Sequence, residues 1–326
     1  MKYRKFGHTG IEVSEIGLGT AQLGGPSLLN GRRSGYAGIP RESAVAILET
    51  AFDSGVNFYD TSDKYGDGEA ERLLGAVFRE KRDRVVIATK CGITSEGGHS
   101  FEKGYLAGCL ESSLRNLKTD YIDLFQLTKP SLAIIERGEI YETLDRFKRE
   151  GKIRFSGVST GTDQETVRLI EDQRVDSLQI FYNLLHTAPE ELFLDKAFRA
   201  GMALVVRSPL SSGTLCGGHS YETKFRREDD RSSYLHGETL RKRVDMVQGI
   251  IEMNHLDDAY GILHFSLNYL LSSPFISTII PGASRIGQLD EILKLVHRER
   301  MTAEKFSEVG RFVRTLGNMP AASSAS

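Results

Sequence analysis

The stretch Asn57-Phe58-Tyr59-Asp60-Thr61-Ser62-Asp63-Lys64-Tyr65-Gly66 carries a short apolar run into an acidic residue and then into a polar loop. Ile87-Ala88-Thr89-Lys90-Cys91-Gly92 repeats the arrangement with a base in place of the acid. Both runs read as strands, each closed by a charged side chain. Working outward, strand-like segments recur at 56–59, 85–88, 121–127, 153–158, 177–181, 202–206 and 275–280. An earlier one ends in Gly17-Leu18-Gly19-Thr20, which makes eight. Helix-like runs at 41–54, 68–80, 101–117, 137–149, 163–172 and 189–200 lie between most of them. Strands alternating with helices imply a parallel sheet. Eight such units favour closure into an α/β (β/α)8 TIM barrel over an open doubly wound sheet.

Residues 2–7 and 11–13, turned at His8-Thr9-Gly10, predict an N-terminal β-hairpin. A Gly-rich loop is expected at about 23–40, and an insertion rich in Ser, Gly and charge at 208–237. Nothing marks a second domain. The reading is one barrel over 1–318, with the small, polar segment 319–326 expected to be disordered.

The composition narrows the function. The 326 residues carry 42 Lys and Arg against 44 Asp and Glu, a net charge of −2. Such balance gives no nucleic-acid footprint. The basic run Lys224-Phe225-Arg226-Arg227 meets Glu228, Asp229 and Asp230 at once and reads as a solvated mixed-charge loop. Cys91, Cys109 and Cys216 match neither a disulfide framework nor a zinc site. With no apolar run at the start and none long enough to span a bilayer, a cytoplasmic location and no membrane partner are expected. No metal is expected, since no His, Cys, Asp or Glu cluster has ligand spacing.

Active sites of (β/α)8 barrels form at the carboxyl ends of the strands. Asp60 and Lys90 close neighbouring strands and are expected to pair at the mouth, with Tyr65 folded back over it. A phenol titrates near ~10. An adjacent ammonium favours its phenolate form. A tyrosine tuned this way can give a proton to a carbonyl oxygen or take one back. The same residues can also be structural: an Asp–Lys pair can staple a barrel, and a loop tyrosine can simply pack.

At these residues the sequence resembles the aldo-keto reductase superfamily. The likeness runs from Phe6-Gly7-His8-Thr9-Gly10 and Gly17-Leu18-Gly19-Thr20 through Asn57–Gly66 and on to Glu69, Glu71, Leu73, Leu74 and Gly75. It continues in Tyr121-Ile122-Asp123-Leu124-Phe125-Gln126-Leu127, Gly151-Lys152-Ile153-Arg154, Gly157-Val158-Ser159 and Ile280-Pro281-Gly282-Ala283. The resemblance implies a catalytic tetrad in which Asp60, Tyr65 and Lys90 fill three places, Tyr65 as general acid. The family's usual histidine after the Asp-Leu-Phe-Gln-Leu strand is replaced by Thr128, followed by Lys129 and Pro130. A threonine hydroxyl donates one hydrogen bond and does not titrate near neutrality. Among the histidines, His186 follows the sixth strand, His99, His219 and His236 lie in loops and read as surface residues, and His264 reads as a hydrogen-bonded core residue.

The resemblance also implies a nicotinamide site. Gly19, Thr20 and Asp60 lie at strand ends. Ser159 and Gln179 are expected to hold the carboxamide, with Thr160 in a place usually held by Asn. Arg207 stands where many relatives have an aromatic ring that stacks on nicotinamide, and an arginine plane can also stack. Ser208, Pro209, Leu210, Ser212 and Gly213 look like a loop covering the pyrophosphate. Pro281, Gly282, Ala283, Ser284 and Arg285 open a helix whose amino terminus favours anions. Ser284 and Arg285 suit a 2′-phosphate, so NADP(H) is expected over NAD(H), with Gln288 and Glu291 near the adenine. No Gly-x-Gly-x-x-Gly stands between a strand and a helix, so no Rossmann domain is indicated.

Three functions follow. One is reduction of an aldehyde, ketone or sugar-like carbonyl. A second is an altered reaction permitted by Thr128, either ene reduction or redox-neutral chemistry with retained NADP. The third is a low-turnover nucleotide-sensing module. Arg32, Arg33, Tyr36, Arg226, Arg227, Arg231 and Tyr234 are candidates to face a small-molecule substrate; several of them at the site would suit an anionic or polyhydroxylated one.

Overall fold

Eight runs of apolar and β-branched residues pair side by side because each is too short and too apolar to stand alone in water. In the computed structural model, which describes residues 1–227, 229–256 and 259–318, they form one parallel sheet. The strands in chain order begin with the hairpin β1 (Tyr3–Lys5) and β2 (Glu12–Ser14). The first barrel strand is β3 (Leu18–Gly19), followed by a second hairpin, β4 (Ser27–Leu29) and β5 (Arg32–Ser34). The other barrel strands are β6 (Phe58–Asp60), β7 (Val86–Cys91), β8 (Ile122–Thr128), β9 (Ile153–Ser159), β10 (Ser177–Phe181), β11 (Ala203–Arg207) and β12 (Thr278–Ile279).

The order is β3-β6-β7-β8-β9-β10-β11-β12, each strand beside its sequence neighbour within the barrel. The last meets the first through parallel bridges Ile16–Ile279 and Gly19–Gly282, with Gly17 N–H donating to Ile279 O at 2.8 Å. The expected (β/α)8 barrel is therefore present, and so is the amino-terminal hairpin.

Around it lie α1 (Arg41–Asp53), α2 (Glu69–Val77), α3 (Lys103–Leu117), α4 (Leu132–Arg137), α5 (Glu139–Arg149), α6 (Asp163–Asp172), α7 (Pro189–Leu192) and α8 (Leu194–Arg199). Then come α9 (Arg231–Tyr234), α10 (Gly237–Met253), α11 (Ala259–Ser272), α12 (Ile286–Leu293) and α13 (Ala303–Asn318).

There are two cores. Inside the barrel, Phe58, Val86, Ala88, Leu124, Ala203, Val205 and Ile280 pack together, and Phe6 and Val13 of the hairpin plug the amino-terminal end. The larger core lies between sheet and helices. With the bottom plugged and the interior filled, the carboxyl ends of the strands are left to build a site.

Several boundaries differ from the sequence reading. The 137–149 helix is present but starts at Glu139, because Gly138, with φ 75°, separates α5 from the preceding α4. The 189–200 helix breaks at Phe193, where φ −156° and ψ −10° interrupt the turn. The eighth strand is two residues long rather than six. The 23–40 loop contains the β4–β5 hairpin, and the 208–237 insertion contains α9 and a short 3₁₀ segment, Ser211–Cys216. The segment 319–326 lies outside the described residues. No helix among the described residues is long and apolar enough to cross a membrane.

Candidate active site

The carboxyl ends of β6 and β7 meet as their register demands. Asp60 pairs with Ala88, and Lys90 reaches back across the ladder. Lys90 Nζ donates to Asp60 Oδ1 at 2.6 Å and to Thr61 O at 2.7 Å. Asp60 is 2% exposed and Lys90 5%, so this is a buried ion pair. Burial alone would push the Lys90 ammonium toward neutrality. The attraction of Asp60 and Tyr65 outweighs it and holds the Lys90 pKa above its ordinary value.

Tyr65 is half-buried, with its ring centroid 4.8 Å from Lys90 Nζ. Its loop is fixed from both ends. Ser62 Oγ donates to Lys90 O, Asp63 N–H donates to the same oxygen, and Tyr65 N–H donates to Ser62 O. After it, Gly66 has φ 62°, and a Cβ there would lie 1.9 Å from Gly24 O. Only glycine allows that approach, and the contact locks the turn carrying Tyr65.

The second oxygen of Asp60 is also occupied. Gln179 Nε2 donates to Oδ2 at 2.6 Å and Gln126 Nε2 at 3.2 Å. Ser159 Oγ in turn donates to Gln179 Oε1 at 3.0 Å. One hydrogen-bonded line thus runs from β9 through β10 and β6 to β7. Gln126 was not singled out from the sequence: its role depends on its register opposite Lys90, which composition does not reveal.

Thr128 ends β8 opposite Ser159 and is 8% exposed. Among the described residues no histidine is hydrogen-bonded or ion-paired to Asp60 or Lys90. His186 is half-buried against Phe181, ring centroids 5.2 Å apart, and burial lowers its pKa. His264 is buried, with Nε2 3.0 Å from Glu291 O, as expected of a core histidine.

Arg207 closes β11. Nη2 donates to Thr160 O at 3.1 Å, and Cζ lies 5.2 Å from the centroid of the Phe181 ring. Its Nε is buried without a partner among the described residues. Beyond it, Ser208, Ser211, Ser212 and Gly213 all have positive φ. Three serines in that region cost on the order of 1–3 kcal/mol each. Such strain clusters where backbone must meet a ligand. Ser212 Oγ accepts from Tyr234 OH at 2.8 Å, and its carbonyl accepts from Arg231.

On the far side, Thr20 Oγ1 donates to Asp60 O at 3.0 Å, and Gly19 and Gly282 abut. A Cβ on Gly282 would collide with the Gln22 amide, whose Oε1 is buried and unpartnered. Pro281 and Ala283 are buried beside Gly282. Ser284 N–H and Oγ–H both donate to Gln288 Oε1, and Arg285 is exposed at the start of α12 with no ion-pair partner among the described residues. Glu291 is engaged with His264 and Lys294. Pro209 and Leu210 lie in the turn between Ser208 and the 3₁₀ segment.

Of the residues considered for substrate, Tyr36 and Arg231 bring the two long loops together, with Arg231 Cζ 5.6 Å from the Tyr36 ring. Asp230 N–H donates to Gly35 O. Burial, chiefly, pushes the Tyr36 phenol up to about 12. Arg32, Arg33, Arg226, Arg227 and Tyr234 are exposed. Among the described residues no group of His, Cys, Asp and Glu could hold a metal ion.

The sequence model of the Aldo/keto reductase family matches residues 15–314. The chain is 28% identical over 314 residues to an uncharacterized oxidoreductase, YqkF, of Bacillus subtilis, covering 94% of each. It is 31% identical over 234 residues to 6-dehydroglucose reductase of Novosphingobium aromaticivorans, covering 68% of this chain and 73% of that one. In structure it is similar to the aldo-keto reductase AKR11C1 from Bacillus halodurans in its holo form. The TM-score is 0.78 at 25% identity, over 100% of this chain and 99% of the other.

Proposed function

The chain belongs to the aldo/keto reductase family of oxidoreductases, and from that premise we propose that it reduces an aldehyde, ketone or sugar-like carbonyl with NADP(H). The observation that carries this reading is the buried Lys90–Asp60 pair, 2.6 Å apart, lying 4.8 Å from the Tyr65 ring. A held ammonium beside a phenol stabilises phenolate once the proton has left. Tyr65 therefore gives its hydroxyl proton to the substrate oxygen as general acid and recovers it afterwards.

The residues present fit a nicotinamide dinucleotide. Gln22 Oε1 and Arg207 Nε are buried hydrogen-bonding atoms left unspent at the strand ends. The serines with positive φ, Ser208, Ser211 and Ser212, follow directly on β11 and Arg207, and such strain clusters at ligand sites. When bound, the reduced nicotinamide supplies the hydride that reaches the carbonyl carbon. Asp60, Gly19, Thr20, Ser159, Thr160, Gln179 and Arg207 form the floor for its ring. Ser208, Pro209, Leu210, Ser212 and Gly213 cover the pyrophosphate, and Pro281, Gly282, Ala283, Ser284 and Arg285 take the adenosine end. Arg285 supports NADP(H) over NAD(H), being an exposed, unpaired cation where a 2′-phosphate would lie. Gln288 and Glu291 sit on the same helix, toward the adenine.

Thr128 favours a second reading, because a hydroxyl replaces a titratable imidazole where the carbonyl must be oriented. That reading is ene reduction or redox-neutral chemistry with retained cofactor. Following NADPH absorbance with a panel of aldehydes, ketones and enones separates the two, with Tyr65→Phe alongside. Carbonyl-dependent consumption that drops roughly 10²–10⁴-fold in the variant is the expected result. Consumption confined to enones would establish the second reading. No consumption by a protein that binds NADP(H) would sink the first.

A further inference from the structure

Arg207 is a half-buried cation at the end of β11. No acidic side chain pairs with it among the described residues, and its hydrogen bond goes to a backbone carbonyl, Thr160 O. One face lies over the Phe181 ring, which attracts a cation but does not neutralise it. Its Nε–H has no acceptor among the described residues. Asp60, the carboxylate that acts on it electrostatically, is committed to Lys90, Gln126 and Gln179. Lys129 is a second positive group close enough to feel Arg207, but it is also faced by the Glu165 carboxylate. Burial lowers the pKa of Arg207, with Tyr65 and Asp60 opposing the shift, but a guanidinium does not lose its proton in this range. The Asp60–Lys90 pair sums to zero and Glu165 faces Lys129, so among the described residues Arg207 is the charge left without an ion-pair partner beside Thr160.

A nicotinamide ring differs between its two states by one positive charge carried on the ring: the oxidised pyridinium is cationic and the reduced dihydropyridine is neutral. We propose that Arg207 makes this site discriminate between the oxidation states of its cofactor, binding NADPH well above NADP+, so that the free enzyme loads the reduced cofactor in preference and releases the oxidised one readily. The inference rests on the reading that the ring lies against Arg207. A charge at that range in a partly desolvated site changes affinity by roughly tenfold to a hundredfold. An aromatic ring in the same place would favour the cationic pyridinium instead.

The test is the dissociation constants of NADPH and NADP+, by fluorescence and calorimetry, for the full chain and for Arg207→Met, Arg207→Gln and Arg207→Lys. The expected result is NADPH binding at least about tenfold tighter than NADP+. That ratio should collapse toward unity in Arg207→Met and Arg207→Gln and persist in Arg207→Lys. A ratio near unity in the unaltered protein overturns the proposal whether or not the variants fold, and leaves the cofactor site standing. An undiminished ratio in either neutral variant overturns it as well. A folded protein that binds no nicotinamide dinucleotide overturns both the functional reading and this one.

Discussion

Gln179 Nε2 donates to Asp60 Oδ2 at 2.6 Å, and through that bond the two halves of the site become one object. On one side Gln179 accepts from Ser159, in the part assigned to the carboxamide; on the other, Asp60 holds Lys90, in the part assigned to Tyr65. A buried carboxylate needs its lone pairs filled. Here three side chains from three other strands fill them, so the position of Asp60 is over-determined.

Gln179→Met should therefore disturb both halves together. Asp60 Oδ2 keeps only the longer bond from Gln126, and Ser159 loses its acceptor. A buried group left short of a partner costs about 1–3 kcal/mol. The expected outcome is weaker cofactor affinity with a fall in kcat of roughly tenfold or more. Paired titration and steady-state kinetics check it. A change in affinity alone would show that Gln179 and Asp60 act separately.

Lys90→Met should cost stability as well as rate. Removing one partner of a buried ion pair leaves the other charge uncompensated, at about 3–5 kcal/mol. Asp60→Asn together with Lys90→Met leaves no unpaired charge and should melt above Lys90→Met alone. Both proteins should be nearly inactive. Thermal melts of the two decide it, and a double variant less stable than the single would refute the argument.

Much of this was legible in the sequence, and the remainder was hidden for identifiable reasons. Asp60 and Lys90 could be paired because each closes an apolar run on a neighbouring strand. Gln126 could not, because a polar residue within Leu124-Phe125-Gln126-Leu127 acquires its meaning from the register that places it opposite Lys90. The β4–β5 hairpin left a signal, Asn30-Gly31, in the form favoured for tight turns. The surrounding glycines and prolines outweighed it. The break at Phe193 left no Gly or Pro to read. Arg207 was visible as a departure, but its want of an ion-pair partner depends on which carboxylates are spent elsewhere.

The plugged end of the barrel predicts a contrasting variant. Asp123 is fully buried near the start of β8, held by Arg82 Nη2 at 2.6 Å, Arg154 Nη1 at 2.8 Å and Ile87 N–H at 3.0 Å. It lies at the opposite end of the strands from Tyr65, where side chains serve stability. Asp123→Asn should lower the melting temperature clearly, since two arginines lose their carboxylate, and leave kcat/KM near its original value below the transition. A rate loss as large as that of Lys90→Met, in protein still folded, would place Asp123 in the functional machinery.

Asp63 predicts a pH dependence of the opposite sense to most acids. Burial, chiefly, pushes its carboxyl up to about 6 from an ordinary 3.8, with Glu71 adding to the shift and Lys64, Ser62 and Lys90 opposing it. The fold thus favours the protonated form. Its contribution is fully present below the unfolded value near 4 and is lost as pH rises through about 6. Near neutrality the folded protein carries a carboxylate that its surroundings disfavour, at about 1–3 kcal/mol. Asp63→Asn removes that charge and keeps the shape. The variant should melt a few degrees above the unaltered protein at pH 8, and the gap should close as the buffer is taken to pH 4. Calorimetry across that range is the measurement. A variant less stable at pH 8 would mean that Lys64 and Lys90 need the Asp63 charge more than its burial penalises it.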